Sequence, residues 1–283
     1  MSAEPTAPGQ PDRSPAAPAR FARLLPPGDE LDAVELAAGL GLQARAQARA
    51  AGSEDRPYLI LNMISTVDGR ATLGGRSGPI GNRADRELFH ALRGSVDAVM
   101  AGAGTVRVER YGRIVRSEAA RAARVRAGLP AEPLACIVSG RLALAPDTPL
   151  LCEPEARVVI LTSSTASLPE TAARVEYVRA PRDGGLDLAG ALRELRARFG
   201  VRTLLCEGGP HLNAQLLLAG LVDELFLSVS PKLAGGEDGT GEALRIIAGA
   251  GFERPAELEL LGVLENESHL FLRYALRGEP AGA

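Results

Sequence analysis

Between residues 58 and 209, short apolar runs alternate with helix-like stretches, and no other pattern in the chain restricts its fold as much. The runs YLILNMI (58–64), VDAVMAG (96–102), LACIVS (134–139), RVVILT (157–162), VEYVRA (175–180) and TLLCEGG (203–209) are apolar at nearly every position. Strands covered on both faces have this composition. Between them, RADRELFHALR (83–93), SEAARAARVRAG (117–128) and DLAGALRELRARFG (187–200) place apolar residues at helical spacing. Such alternation predicts an α/β fold of three layers, a mainly parallel central sheet with helices on both sides. The end of the chain differs: VDELFLSVSPKL (222–233), LELLGVLENE (258–267) and SHLFLRYALR (268–277) are strand-like, with no comparable helix after Ala250. They predict antiparallel strands added to one edge of the sheet.

Composition sets the outer limits. With 283 residues, 46% of them hydrophobic and 24% charged, the chain can bury a large core. Its net charge of −3 supplies no attraction for nucleic acid or an anionic membrane. No apolar run approaches the roughly 20 residues that cross a bilayer, so a cytoplasmic protein is expected. Residues 1–20 are rich in proline and alanine without apolar periodicity, which predicts a disordered leader. Residues 21–52 read as a helical arm capped at Asp29 or Asp32, residues 53–277 as the main domain and 278–283 as a tail. Cys136, Cys152 and Cys206 are scattered without CxxC spacing and read as thiols of a packed interior. His90, His211 and His269 show no metal-ligand spacing, so no metal site is expected and structural or surface roles are assigned to them.

Chemistry concentrates where apolar runs end. In LLCEGGPHLNAQ (204–215) a run stops at Glu207, Gly208 and Gly209 follow, and a helix begins at Pro210. A bare glycine pair next to free helix N–H groups suits a cofactor pyrophosphate, and equally suits a tight turn. Gly102-Ala-Gly104-Thr105, continuing to Arg107 and Glu109, repeats the arrangement of strand, glycines and helix start. It has glycines at two positions only, so it is not the GxGxxG dinucleotide fingerprint. The segment from Asn62 to Arg70 ends a strand in Asp68-Gly69, where Asp68 reads either as a turn cap or as a working carboxylate. Of 32 basic residues only Lys232 is lysine, so an arginine at any one position carries little information.

Taken together, STVDGRATLGGRSGPIG, GAGTVRVE and LLCEGGPHLNAQLLLAGLVDELFLSVSPKLAGG resemble the reductase domain of riboflavin biosynthesis, in order, over about residues 56–277. The resemblance implies a dihydrofolate-reductase-like fold, a homodimer, NADPH as cofactor and 5-amino-6-(5-phosphoribosylamino)uracil as substrate. It places the pyrophosphate at Gly208 and Gly209 with Pro210, Leu212 and Asn213. Thr105 and Glu109 fall near the cofactor, and Ser139 with Arg141 near the 2′-phosphate of NADPH. Glu207 faces the substrate together with Asn62, while Arg93, Arg113 and Arg116 fall where the sugar phosphate is held. Asp68 and Glu207 are the carboxylates assigned to orient the ring and stabilise a protonated imine, with hydride passing to the C1′ carbon. The deaminase signature H-x-E with P-C-x-x-C is absent. Where the family continues into an acidic-Pro-x-Leu-Thr-x-Arg pattern, this chain has Glu109-Arg-Tyr111-Gly-Arg113-Ile-Val-Arg116, with tyrosine against the substrate pocket. That departure leaves two alternatives open: a reductase of pterins or dihydrofolate-like rings, and a non-catalytic NADP(H)-binding protein.

Overall fold

The computed structural model describes residues 17–51, 55–236 and 244–277. Thirteen strands are present among them: β1 (Phe21–Leu25), β2 (Pro27–Leu31), β3 (Tyr58–Thr66), β4 (Ala98–Gly102), β5 (Leu134–Val138), β6 (Arg157–Thr162), β7 (Arg174–Arg179), β8 (Pro181–Arg182), β9 (Gly185–Leu186), β10 (Thr203–Cys206), β11 (Glu224–Ser230), β12 (Glu257–Asn266) and β13 (His269–Arg277). The helices are α1 (Ala33–Gly39), α2 (Leu42–Ala51), α3 (Arg83–Ser95), α4 (Ala103–Val108), α5 (Glu118–Arg126), α6 (Leu188–Phe199) and α7 (Pro210–Leu218).

Eleven strands form one sheet in the order β2-β1-β12-β13-β11-β3-β10-β4-β5-β6-β7, while β8 and β9 make a small hairpin of their own. From β11 to β7 every neighbouring pair is parallel, and from β2 to β11 every pair is antiparallel. The sheet separates two apolar cores. One buries Leu36 of α1 and Leu40 just after it with Leu88 and Leu92 of α3. The other buries Leu188, Leu192 and Leu195 of α6 with Leu212 and Leu216 of α7. This is the three-layer α/β class expected from the sequence, with antiparallel strands at one side.

Two expectations are corrected in detail. The segment 222–233 does supply β11, but β11 runs parallel to β3 and antiparallel only to β13. Turning from helix α7 into β11 satisfies the same crossover geometry as the earlier strands, so the switch of direction comes one strand later. The arm 21–52 is only partly helical: β1 and β2 precede α1, and β1 pairs with β12 at the antiparallel side of the main sheet. Asp32, not Asp29, caps α1, its carboxylate accepting from the amides of Val34 and Glu35 while Glu35 reaches back to the amide of Asp32. The end of the expected leader is also tied down, since Ala19 is buried and its amide donates to Glu87 at 2.8 Å. Residues 1–16 of that leader and the tail 278–283 lie outside the described residues.

At the end of β3 and β11 remote from the glycine loops, two acids are buried with their donors. Asp223 accepts from Arg56 at 2.9 Å, from the amide of Leu59 at 2.7 Å and from Arg49. Glu224 is fully buried and accepts from Tyr58 at 2.6 Å and from Arg273 at 2.8 Å through both of its oxygens. Arg45 at 3.3 Å completes the set, so α2 is fastened to the sheet by charge as well as by Leu42 and Ala46. Buried carboxylates persist only where donors replace lost water, and these two have that role.

Candidate active site

The glycine loops lie side by side because β10 and β4 are neighbours in the sheet. The amide of Gly102 donates to the carbonyl of Gly208 at 2.7 Å, which joins the two loops directly. Gly208 has φ +88°, a left-handed conformation that a β-carbon disfavours. A β-carbon on Gly209 would come 2.8 Å from the Thr105 hydroxyl. Gly209 is also the N-cap of α7, and no side chain caps that helix. Pro210 has no N–H, and among the described residues the amides of His211 and Leu212 that follow have no partner and suit an anion.

A long cleft of about 630 Å³ runs over these loops. Gly102, Gly104, Thr105, Gly209, Pro210 and Leu212 line its middle, and Ser139, Gly140, Arg141 and Ser163 line the far end at the tips of β5 and β6. A second pocket, of about 280 Å³, adjoins it and holds Asn62, Arg86, Phe89, His90, Arg93, Tyr111, Arg113 and Arg116. The two share Met63, Ala71, Ser77, Thr105, Glu109 and Glu207, so the cleft and the pocket lie against a common wall.

At the wall stands a buried carboxylate with all its partners from this chain. Glu207 accepts from Arg93 Nε and Arg93 Nη2, each at 2.7 Å, and from the Tyr111 hydroxyl at 2.5 Å. Arg93 also donates to the carbonyl of Ile114 at 3.3 Å and lies between the rings of Phe89 and Tyr111, 4.1 and 5.1 Å from their centroids. Burial opposes its charge, but the Glu207 carboxylate outweighs that and holds the guanidinium above its ordinary pKa. Burial first, and then the Glu207 charge, push the Tyr111 phenol well up. Arg124, itself buried, donates to the carbonyls of Arg93, Gly94 and Val96 and so fixes the end of α3 that carries Arg93.

Several residues singled out from the sequence line these spaces: Asn62, Thr105, Glu109, Ser139, Arg141, Gly209, Pro210, Leu212, Arg116 and Glu207. Others do something different. Asp68 lines neither space; its carboxylate accepts from Thr66 and from the amides of Ala234 at 3.0 Å and Gly235 at 2.7 Å. Those bonds, that from Thr66 foremost, hold its carboxyl below the usual range, and the turn-clamp reading replaces the working-carboxylate one. Asn213 is fully buried and spends its side-chain amide on the carbonyl of Ile246 at 2.8 Å, so it braces α7 and offers nothing to the cleft. Arg93 is committed to Glu207 and cannot serve as a free phosphate ligand. Arg113 borders the pocket but is drawn outward by Glu155 at 2.7 Å and Glu153 at 3.4 Å.

The pocket also contains groups the sequence reading passed over. Arg86, His90 and Arg93 recur at i, i+4 and i+7 on α3, a spacing that puts them on one face. Among the described residues the guanidinium groups of Arg86, Arg110 and Arg116 have no hydrogen bond or ion pair, so their charges are available in the pocket. His90, assigned a structural role, lines the pocket, and burial with the nearby Arg93 and Arg116 charges lowers its pKa. Ser77 ties Glu109 in place through its amide and hydroxyl, each at 3.0 Å.

A glycine-lined cleft beside a cationic pocket at the strand ends defines a ligand-binding three-layer α/β protein. More narrowly, the chain belongs to the RibD C-terminal domain family, whose model matches residues 57–269. It is 32% identical over 230 residues to the 2,5-diamino-6-ribosylamino-4(3H)-pyrimidinone 5′-phosphate reductase of Methanothermobacter thermautotrophicus, covering 79% of this chain and 100% of that one. The protein of the same name from Archaeoglobus fulgidus is 32% identical over 188 residues, 65% of this chain and 84% of that one. A pyrimidine reductase-like protein of Corynebacterium diphtheriae has a similar crystal structure, with TM-score 0.66, 25% identity and 79% and 93% of the two chains covered.

Proposed function

We propose that this chain is an NADPH-dependent reductase of a phosphorylated ribosylaminopyrimidine, adding hydride to the C1′ carbon of its opened sugar. The observation that carries the reading is the shared wall where the long cleft meets the arginine pocket. The cofactor supplies a hydride when bound, and the chain supplies position and charge. Gly209 and the amides at the start of α7 suit a pyrophosphate, and Ser139 with Arg141 suit the 2′-phosphate that separates NADPH from NADH, whereas Gly208, expected at the pyrophosphate, lines neither space and joins the two loops through its carbonyl. Thr105 and Glu109 stand at the wall, where they would border the nicotinamide and the sugar when both are bound. Arg116, with Arg86 and Arg110, gives the sugar phosphate a place, taking over from Arg93. The archaeal relatives carry the names of reductases of such a phosphate. In the net reaction the imine carbon gains a hydride and its nitrogen a proton, with oxidised cofactor released. We place this chemistry in the cytoplasm; among the described residues no helix is long and apolar enough to cross a membrane.

A pteridine fits less well. Its amino-pyrimidine edge needs a buried carboxylate with two free oxygens, and Glu207 is occupied by Arg93 and Tyr111. The test is NADPH oxidation by the purified chain with phosphorylated ribosylaminopyrimidines and with a dihydropterin, alongside fluorescence titration of NADPH. Turnover confined to the phosphorylated compounds is expected. Binding without turnover on any of them would leave the non-catalytic alternative standing, and failure to bind NADPH would remove the reading altogether.

We further propose that the chain works as a symmetric homodimer through the β12–β13 side of the sheet. There Leu258, Leu260 and Leu270 remain 39%, 42% and 37% exposed on neighbouring strands, an apolar face with no cover among the described residues. Sedimentation should give twice the chain mass for the parent and the single mass for Leu260→Glu with Leu270→Glu; a monomeric parent sinks the proposal.

A further inference from the structure

The arginine pocket carries more positive charge than its own acids neutralise, since five arginines line it against three carboxylates. Arg93 is spent on Glu207, and Arg113 on Glu155 and Glu153. That leaves the guanidinium groups of Arg86, Arg110 and Arg116, all three exposed, with no hydrogen bond or ion pair among the described residues. Cations gathered in this way repel one another, and an anion between them relieves the repulsion.

A histidine stands inside this group. His90 follows Arg86 by four residues on α3, which puts the two side chains one turn apart on the same face. Its ring is exposed and lines the pocket, edge-on to Phe89 with centroids 5.5 Å apart, and Phe89 is the ring that Arg93 also covers. Packing around the imidazole lowers its pKa, and the charges of Arg93 and of Arg116 across the pocket lower it further, against the opposite pull of Glu207. The remaining titratable neighbours in the lining are Asp85, whose carboxyl burial pushes up, Glu109 and Tyr111. With no anion beside it, His90 is neutral near neutral pH.

Resting on the reductase reading above, we infer that His90 is a further ligand of the substrate's phosphate, beside Arg86, Arg110 and Arg116, and takes up a proton from solvent as that phosphate binds. The doubly charged anion reverses the balance at the ring: it favours the imidazolium, which then donates a charge-assisted hydrogen bond. Linkage fixes the sign. Because His90 holds a proton more easily in the complex, the complex tightens as pH falls through the range where bound His90 becomes charged. The gain stops once unbound His90 is charged as well.

Inorganic sulfate is the probe, because it stays a dianion where a phosphate monoester gains a proton, at about pH 6. The chain is saturated with NADPH, which keeps sulfate off the start of α7. Only three histidines contribute imidazole signals in proton NMR, and His90→Gln identifies that of His90 by its loss. Sulfate should move the titration midpoint of this signal upward. Calorimetry should show sulfate affinity rising about threefold or more from about pH 8 to about pH 6 in the parent, and staying nearly flat in His90→Gln. A variant that keeps the rise would make Asp85 or another group its source and overturn the inference, as would a His90 signal that ignores sulfate. Turnover of the phosphorylated substrate beside such a silent His90 would sink this inference alone. A chain that neither reduces that substrate nor binds sulfate would lose the reductase reading and this inference together.

Discussion

Arg93→Ala is expected to destabilise the folded chain by about 3–5 kcal/mol, the cost of leaving one member of a buried ion pair without its partner. Glu207 has a side chain only 2% exposed and Arg93 one only 8% exposed, so water cannot replace the lost guanidinium. The change removes two of the three donors to the carboxylate, the donor to Ile114 and the cation between Phe89 and Tyr111. Urea denaturation followed by circular dichroism measures the loss. The double variant Arg93→Met, Glu207→Leu tests the cause, because removing both charges together is often close to neutral. It should recover most of the lost stability while remaining inactive. If the double variant is no more stable than Arg93→Ala, the damage comes from packing and the electrostatic account of this pair is wrong.

How far the sequence led to this arrangement depends on the range of the interaction. The strands of the parallel half and helices α3, α5 and α6 were legible because each is set by local periodicity and by its own cap, such as Asp187 before α6. Strand β1 was not. It is five residues long, sits against Pro26 and Pro27, and is made a strand by pairing with β12, more than two hundred residues away. The glycine loops were legible for a related reason: a bare backbone beside a helix start has few uses. Side-chain partners were harder. Asp68 and Glu207 look alike as acids at strand ends, yet one clamps a turn and the other is buried under Arg93. What separates them is the loop at 234–235 and helix α3, neither adjacent in sequence. The shared face of Arg86, His90 and Arg93 was readable from spacing alone, but with thirty-one arginines in the chain such spacings arise often. Tyr111 stood out as a departure from the family pattern, while its bond to Glu207 needed the fold.

Gly209→Ala is expected to weaken NADPH binding by roughly thirtyfold or more, equivalent to about 2 kcal/mol. The backbone at Gly209 has φ −76°, so alanine meets no dihedral penalty there and the effect isolates crowding. The added methyl would stand 2.8 Å from the Thr105 hydroxyl and must push α4 away from α7 or turn that hydroxyl aside. Either response disturbs the two loops that Gly102 and Gly208 hold together at 2.7 Å. Fluorescence titration of NADPH reads the loss, with Gly94→Ala as control, since a methyl there meets nothing within 4 Å. Adding Thr105→Ala to Gly209→Ala removes the collision but leaves the methyl in the cleft and deletes a hydroxyl from its wall. Affinity should therefore stay low although the fold is relaxed. Full recovery in the double variant would mean that the methyl obstructs only Thr105, and unchanged affinity in Gly209→Ala would place the pyrophosphate elsewhere.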